Sequence, residues 1–435
     1  MSDNKFRFTT VTAVVIANMV GTGVFTSLGF QLLDIQSGFV LLMLWAIGGL
    51  ISLCGAMTYA ELGAAMPRSG GEYNFLGQLY HPSAGFVSGW ISATIGFAGP
   101  VALAAITFAA YATSIAPNFT NEYLEKGLAI GLILILTSLH ASNRKNSGNT
   151  QVFFTILKVV VIIAFCSLAF IAIKTPQPLS FTPTTGDQEL ILSSEFAVSL
   201  IYVSYAYAGW NAATYLSSEL SNPQRTLPGI LLTGTLVVTI LYVMLNFIFL
   251  YVAPIDSLKG EIEVGVIAAQ AVFGITGGKF TGFILALLLI STVSAMTIAG
   301  PRVLQVIGED FKSLRFLSKK TDDGIPARAI YIQSSLAILF IISSTFESIL
   351  VFSGFTLALN NFATVFGIFV LRYKHKHLER PYKTFLFPLP PLIYLILTGW
   401  TLWFVMINRP VEVLFSFGVI LSGLLFFSFS KFKEK

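Results

Sequence analysis

Charge is what this chain has least of. Asp, Glu, Lys and Arg make up only 11% of its 435 residues, hydrophobic residues make up 55%, and mean hydropathy is +0.78. A soluble globular domain carries about 25% charged residues, so a soluble enzyme or scaffold is excluded and a polytopic membrane protein remains. Cysteine is nearly absent. Cys54 and Cys166 both fall in apolar runs, which leaves no loop thiol for a disulfide to a partner chain and no metal-ligand spacing. The four histidines, His81, His140, His375 and His377, sit at the ends of apolar runs or in loops. Within the runs there is no Asp, Glu or His constellation of the kind an intramembrane enzyme needs, and no repeated polar ring for a channel filter. Acidic residues stay in loops or near run ends, Glu61, Glu195, Glu219 and Glu347 being the nearest to membrane depth. On that basis no carboxylate is expected at the centre of the protein, and a cationic substrate is disfavoured. No cofactor is implied.

What the chain does have is apolar length. About twelve runs, at 8–33, 38–65, 82–114, 126–141, 148–173, 191–219, 226–253, 280–306, 327–344, 348–371, 384–407 and 411–430, approach or exceed the ~20 residues of a spanning helix. The first carries no signal-peptide cleavage pattern. With the N-terminus inside, Lys126, Lys174, Lys259, Lys279 and Arg409 fall outside, Lys158 falls within a span, and the remaining 20 of the 26 basic residues fall inside. That asymmetry predicts an all-α polytopic protein with 12 transmembrane helices and both termini cytoplasmic. The net charge of +5 is thus a topology signal and not a nucleic-acid footprint.

The run that organises the rest is the first. Gly21 and Gly23, one residue apart in Val20-Gly-Thr-Gly-Val24, remove side chains where a helix most needs propensity, and predict a break at Gly21-Thr22-Gly23 with a second half-helix over Val24 to Leu33. Such a half-helix would aim free N–H groups at membrane depth, a site for a carboxylate. The alternative is that the glycines only let a neighbouring helix pack closely. Span 6 repeats the theme in Tyr205-Ala-Tyr-Ala-Gly-Trp-Asn211, with a break expected near Gly209 and Asn211. Spans 1–5 (8–173) and 6–10 (191–371) then read as inverted repeats, with 384–430 as two further helices, and paired interrupted helices point to a transporter's site. Span 5 holds Lys158, about ten residues past Asn149, and an ionisable group that deep is functional by default. Glu61 and Glu72 are expected to pair with basic groups at the inner surface, and 255–278 to form an external surface helix.

Five motifs in this order, Gly21-Thr-Gly23, Pro67-Arg-Ser-Gly-Gly-Glu-Tyr73, Tyr205 to Asn211, Gly300-Pro-Arg302 and Glu379-Arg-Pro-Tyr-Lys383, resemble the amino acid-polyamine-organocation superfamily and, within it, the L-type amino acid transporter-like branch. The resemblance implies a LeuT-type fold of 5+5 inverted repeats plus two helices, and alternating-access transport of amino acids. It places the substrate carboxylate on the backbone of Val20, Gly21, Thr22, Gly23 and Val24, and the ammonium on carbonyls of Tyr205, Ala206, Tyr207 and Ala208, with Asn211 beside them. Tyr205 matches the aromatic that closes over substrate. Lys158, with Ser291 and Thr292, matches the site where sodium-coupled members of the fold bind an ion. Transport is therefore expected to be sodium-independent, by exchange or alternatively by proton symport. The animal members' external cysteine for a partner subunit is missing, so a bacterial plasma-membrane protein acting without it, as a monomer or weak homo-oligomer, is expected. The sequon Asn118-Phe-Thr120 means nothing in that setting.

Overall fold

The computed structural model describes residues 7–115, 121–142, 147–321 and 324–430, without the side chains of 147–151, 218 and 219. The sequon Asn118–Thr120, the inner basic residues Lys5, Arg144, Lys145, Lys431, Lys433 and Lys435, and the side chains of Asn149 and Glu219 lie outside that description. In chain order the α-helices are α1 (Phe8–Met19), α2 (Thr22–Gln31), α3 (Gly38–Ala65), α4 (Glu72–Leu79), α5 (Pro82–Ile91), α6 (Ala98–Thr113), α7 (Glu122–Ser142), α8 (Ser147–Ala172), α9 (Asp187–Ile191), α10 (Ser194–Tyr207), α11 (Pro223–Val252), α12 (Ile255–Leu258), α13 (Val264–Ala299), α14 (Pro301–Asp310), α15 (Ala327–Ser343), α16 (Phe346–Lys374), α17 (Leu389–Asn408) and α18 (Pro410–Phe429). Ten spans among the described residues are long and apolar enough to cross a membrane. The 17-residue α15, and α10 with the 3-10 segment Ala212–Glu219, bring the total to twelve. This is an all-α polytopic membrane protein with the LeuT-type arrangement.

Both expected breaks exist. Helix α1 stops at Met19, and α2 restarts at Thr22 with Gly21 as its N-cap. The break is thus Val20-Gly21, and α2 begins two residues earlier than the glycine pattern suggested, because Gly23 serves packing: a Cβ there would lie 2.5 Å from Ala206 Cα. Close approach and chain break are therefore both true of this motif, on different glycines. In span 6, α10 ends at Tyr207 and Gly209 turns the chain at φ +107°, where a Cβ would also meet Asn18 backbone at 3.0 Å. The two breaks abut, and the Tyr242 hydroxyl on α11 joins them, 2.5 Å from Met19 O and 3.0 Å from Ala206 O.

Two elements differ from expectation, and a third adds a contact. The inner loop after α3 contains α4, an eight-residue helix with every residue buried except Gly77 and Gln78. The external helix is continuous with span 8, and Gly274 (φ +72°) kinks the joint. Spans 11 and 12 are peripheral but not inert, since Arg409 between α17 and α18 reaches Glu347 on α16 at 2.5 Å.

Candidate functional site

The α2 N-terminus has no side-chain cap, so its first amides are free to meet an anion at the break. Around it lies a cavity of about 90 Å³. Its wall is built from Gly21, Thr22 and Gly23, from Tyr205, Ala206, Ala208, Asn211 and Tyr215 of span 6, from Ser92 and Phe97 of span 3, and from Asn360 and Asn361 of α16. Ser92–Gly96 is a π-helical turn, a device that re-aims side chains at functional sites and that no composition rule would have shown.

Of the residues singled out from sequence, Gly21, Thr22, Gly23, Tyr205, Ala206, Ala208 and Asn211 line this cavity. Val20, Val24 and Tyr207 do not. Their side chains belong to the apolar core, and the Tyr207 hydroxyl donates to Trp45 O at 3.0 Å. The Ala206 carbonyl is already engaged by Tyr242. Lys158 is 3% exposed, and its Nζ donates to Val20 O at 3.3 Å and to Thr292 Oγ1 at 2.6 Å. Ser291 is not a partner: its hydroxyl donates to Leu288 O, within its own helix. Adjacent helical positions point about 100° apart, so only one of the two hydroxyls can face span 5.

Glu61 pairs as expected, with Arg372 and Arg380. Glu72 does not. It is 0% exposed, lines the cavity, and accepts from uncharged donors: Tyr215 Oη at 2.5 Å and Asn211 Nδ2, with Tyr59 Oη 3.0 Å away, its one proton shared with Asn361 Oδ1 at 2.9 Å. The expectation that no carboxylate reaches the breaks is therefore overturned. Helix α4 folds a nominal loop residue back against span 6. The hydropathy of the runs carries no trace of this, and the only local signal was Gly70-Gly71, whose positive φ values turn the chain into α4.

On the outer side of the break, three contacts join neighbouring elements. Phe30 stacks on Phe346 at 5.6 Å, the Tyr202 hydroxyl donates to Glu347 at 2.8 Å, and Gly260 N donates to Gly29 O at 2.8 Å. Glu263, at the start of α13, is pushed up to about 7 from 4.5, chiefly by burial and then by Glu261 and Glu125. Its folded state holds a proton that the unfolded chain has already released, so stability falls as pH rises from about 4.5 to 7 and levels off above. Melting in detergent is expected to occur at a lower temperature at pH 8 than at pH 5.5, and Glu263→Gln should flatten that difference. A slope unchanged in the variant would refute the assignment.

The amino acid permease family profile matches residues 6–429, nearly the whole chain. The chain belongs to the amino acid permease family. It is 28% identical over 425 residues to the b(0,+)-type amino acid transporter 1 of Mus musculus, covering 95% of this chain and 85% of that one. Over 388 residues it is 28% identical to the serine/threonine exchanger SteT of Bacillus subtilis (strain 168), covering 87% and 86%. With the large neutral amino acids transporter small subunit 2 of Homo sapiens it shares 27% over 428 residues, 94% and 77%. This permease is a multi-pass membrane transporter of amino acids and not an enzyme.

Proposed function

We propose that this permease moves small neutral amino acids by alternating access, without sodium and by exchange, with 8–173 and 191–371 as inverted repeats flanked by 384–430. The observation that carries the reading is Lys158. Its ammonium group bridges the span 1 break and the span 8 hydroxyl of Thr292, and one positive charge with three donors supplies there what a bound cation would. The substrate carboxylate falls to the amides of Thr22 and Gly23, next to Gly21, whose own N–H donates to Met19 O at 2.8 Å, and its ammonium to the end of α10 beside Asn211, with Tyr205 against the ligand. Val20 contributes its carbonyl to Lys158, while Val24 and Tyr207 support the backbone from behind.

Neutrality rests on different ground from the one the sequence offered. Glu72 lines the cavity with Asn211 and Tyr215 as its uncharged partners, so the expected absence of a carboxylate no longer supports neutrality, and the reading rests on the relatives. The names of two relatives, a large neutral amino acids transporter and a serine/threonine exchanger, agree. The chain works as a monomer or weak homo-oligomer, and neither of its buried cysteines is placed to tether a partner.

Proteoliposomes test this. Saturable uptake of labelled serine, alanine or threonine into vesicles loaded with amino acid is expected in sodium-free buffer, with little uptake into empty vesicles. Stimulation by sodium would sink the cation-substitute reading. Accumulation in empty vesicles driven by a pH gradient would replace exchange by proton symport.

A further inference from the structure

Some of the inner charges that set the topology are spent within the protein. Arg68 reaches Asp310 at 3.2 Å, and Arg372 and Arg380 both reach Glu61. Five others gather where span 8 ends and span 9 begins. Lys312, Arg315, Lys319, Lys320 and Arg328 are all exposed, and none of them has an ion pair among the described residues. Over 312–328 the sequence sets only Asp322 and Asp323 against them, and those two lie outside the described residues. The acids just before the group are engaged, Asp310 by Arg68 and the Tyr73 hydroxyl, and Glu309 by the Gln305 amide at 2.6 Å.

The fold holds these charges on a fixed platform. Lys312–Leu317 is a 3-10 turn packed on α14 and touching α15. Its anchors are Leu314, Leu317 and the preceding Phe311, all buried, with the Phe311 ring 4.7 Å from that of Phe86. Side chains three apart share an edge of a 3-10 turn, so burying 311, 314 and 317 turns Lys312 and Arg315 outward together, with Phe316 left 44% exposed beside them. Thr321 N then donates to Ile325 O at 2.9 Å, which returns the chain to α15 and brings Lys319 and Lys320 near its first turn. On α15 the exposed residues Arg328, Tyr331, Ser335, Leu339 and Ile342 follow at steps of three and four, the stripe this span turns to lipid. Arg328 closes the inner end of that stripe, one turn from Tyr331, at the depth where cationic and aromatic side chains meet headgroups.

We propose that this patch binds the anionic phospholipid headgroups of the inner leaflet. A cluster of four to eight Lys or Arg directly cytoplasmic of a span matches the phosphate charge, and aromatic side chains beside it match the acyl boundary. The positive-inside rule accounts for the side of the membrane on which the five charges fall, and it is met by basic residues anywhere in the loop. It does not account for their collection on one anchored edge with an unburied phenylalanine. Arg328 and Tyr331 decide between a lipid and a soluble partner, because they stand on the stripe that faces lipid. The inference depends neither on the substrate nor on exchange.

Delipidated permease in detergent is titrated with phosphatidylglycerol and with phosphatidylcholine of the same acyl chains, and bound lipid is read by native mass spectrometry. Equal chains cancel the apolar contribution. Wild type is expected to hold phosphatidylglycerol about tenfold or more tightly, since each basic residue near the headgroups contributes about fivefold. The combined variant Lys312→Gln, Arg315→Gln, Lys319→Gln and Lys320→Gln should bring the ratio of the two affinities toward one. Lys374→Gln with Lys376→Gln and Lys383→Gln, exposed residues of the next inner loop, should leave it within about twofold of wild type. Arg328→Gln alone should lower the ratio about fivefold, and it decides the matter if the fourfold variant does not fold. Equal affinity of wild type for the two lipids overturns the proposal. So does a ratio that survives in the folded patch variants, or one that falls equally in the variant of the other loop, which would mark a diffuse effect of net charge. Displacement of the lipid by millimolar inorganic phosphate also overturns it, because the patch would then be a soluble-anion site with no membrane in it.

Discussion

Lys158→Ala should lower exchange by a hundredfold or more, about 3 kcal/mol of lost function, while the protein still folds. The lysine is 3% exposed and donates to two groups on different spans, the Val20 carbonyl at the span 1 break and the Thr292 hydroxyl on α13. Truncation strands the Val20 carbonyl, and a buried acceptor without a partner costs about 1–3 kcal/mol. It also removes the link between the span 1 break and α13, so the geometry that presents Gly21, Thr22 and Gly23 to a carboxylate is no longer held. Lys158→Met, which keeps the volume and removes the charge and donors, should be as inactive as the alanine variant, whereas Thr292→Ala should lose less, because Val20 keeps its donor. Counterflow rates per folded molecule, with size-exclusion chromatography as the control for folding, give the comparison. Activity of Lys158→Ala near wild type would take this lysine out of the mechanism.

Glu61→Ala should produce the largest loss of stability, about 3 kcal/mol or more, with the fold rather than the site as its target. Glu61 is 0% exposed near the end of α3. Arg372 reaches it with two parallel bonds, Nε to Oε1 at 3.0 Å and Nη2 to Oε2 at 2.7 Å. Thr384 N donates to it at 2.7 Å, and Arg380 approaches to 3.6 Å. Removing the carboxylate leaves two guanidinium groups facing each other and a backbone amide unpaired, at the junction that holds the segment after α16 against α3. The arginines are 23% exposed, so water offsets part of the cost and the low end of the buried-pair range applies. Thermal unfolding in detergent measures it. A midpoint indistinguishable from wild type would show that the arginines find other partners. Arg372→Ala should mimic Glu61→Ala and also lose the guanidinium stacked 3.6 Å from the centre of the Phe387 ring.

The sequence by itself determined whatever is set locally or along one dimension. Hydropathy located the spans because a bilayer acts on each segment separately. Gly21 and Gly209 announced the breaks because the cost of unwinding lies in the few residues concerned. Lys158 stood out because no packing arrangement makes a buried amine cheap. Tertiary structure decided the rest, for reasons of direction and distance. Which of Ser291 and Thr292 meets Lys158 depends on the rotation of α13, and the choice fell on Thr292. Tyr242, an ordinary aromatic in span 7, became the clasp between Met19 and Ala206 only because α11 packs along both breaks. Arg409, counted from sequence as an outer charge, became a partner of Glu347 and Tyr202 once α17 and α18 were in place. Glu72 is the sharpest case. Its neighbours in sequence are those of a cytoplasmic loop, and only the fold-back of α4 puts its carboxylate beside Tyr215 and Asn211, residues more than a hundred positions away. A side chain's hydrogen-bond partners across such distances are a property of the packed bundle, and no local pattern encodes them.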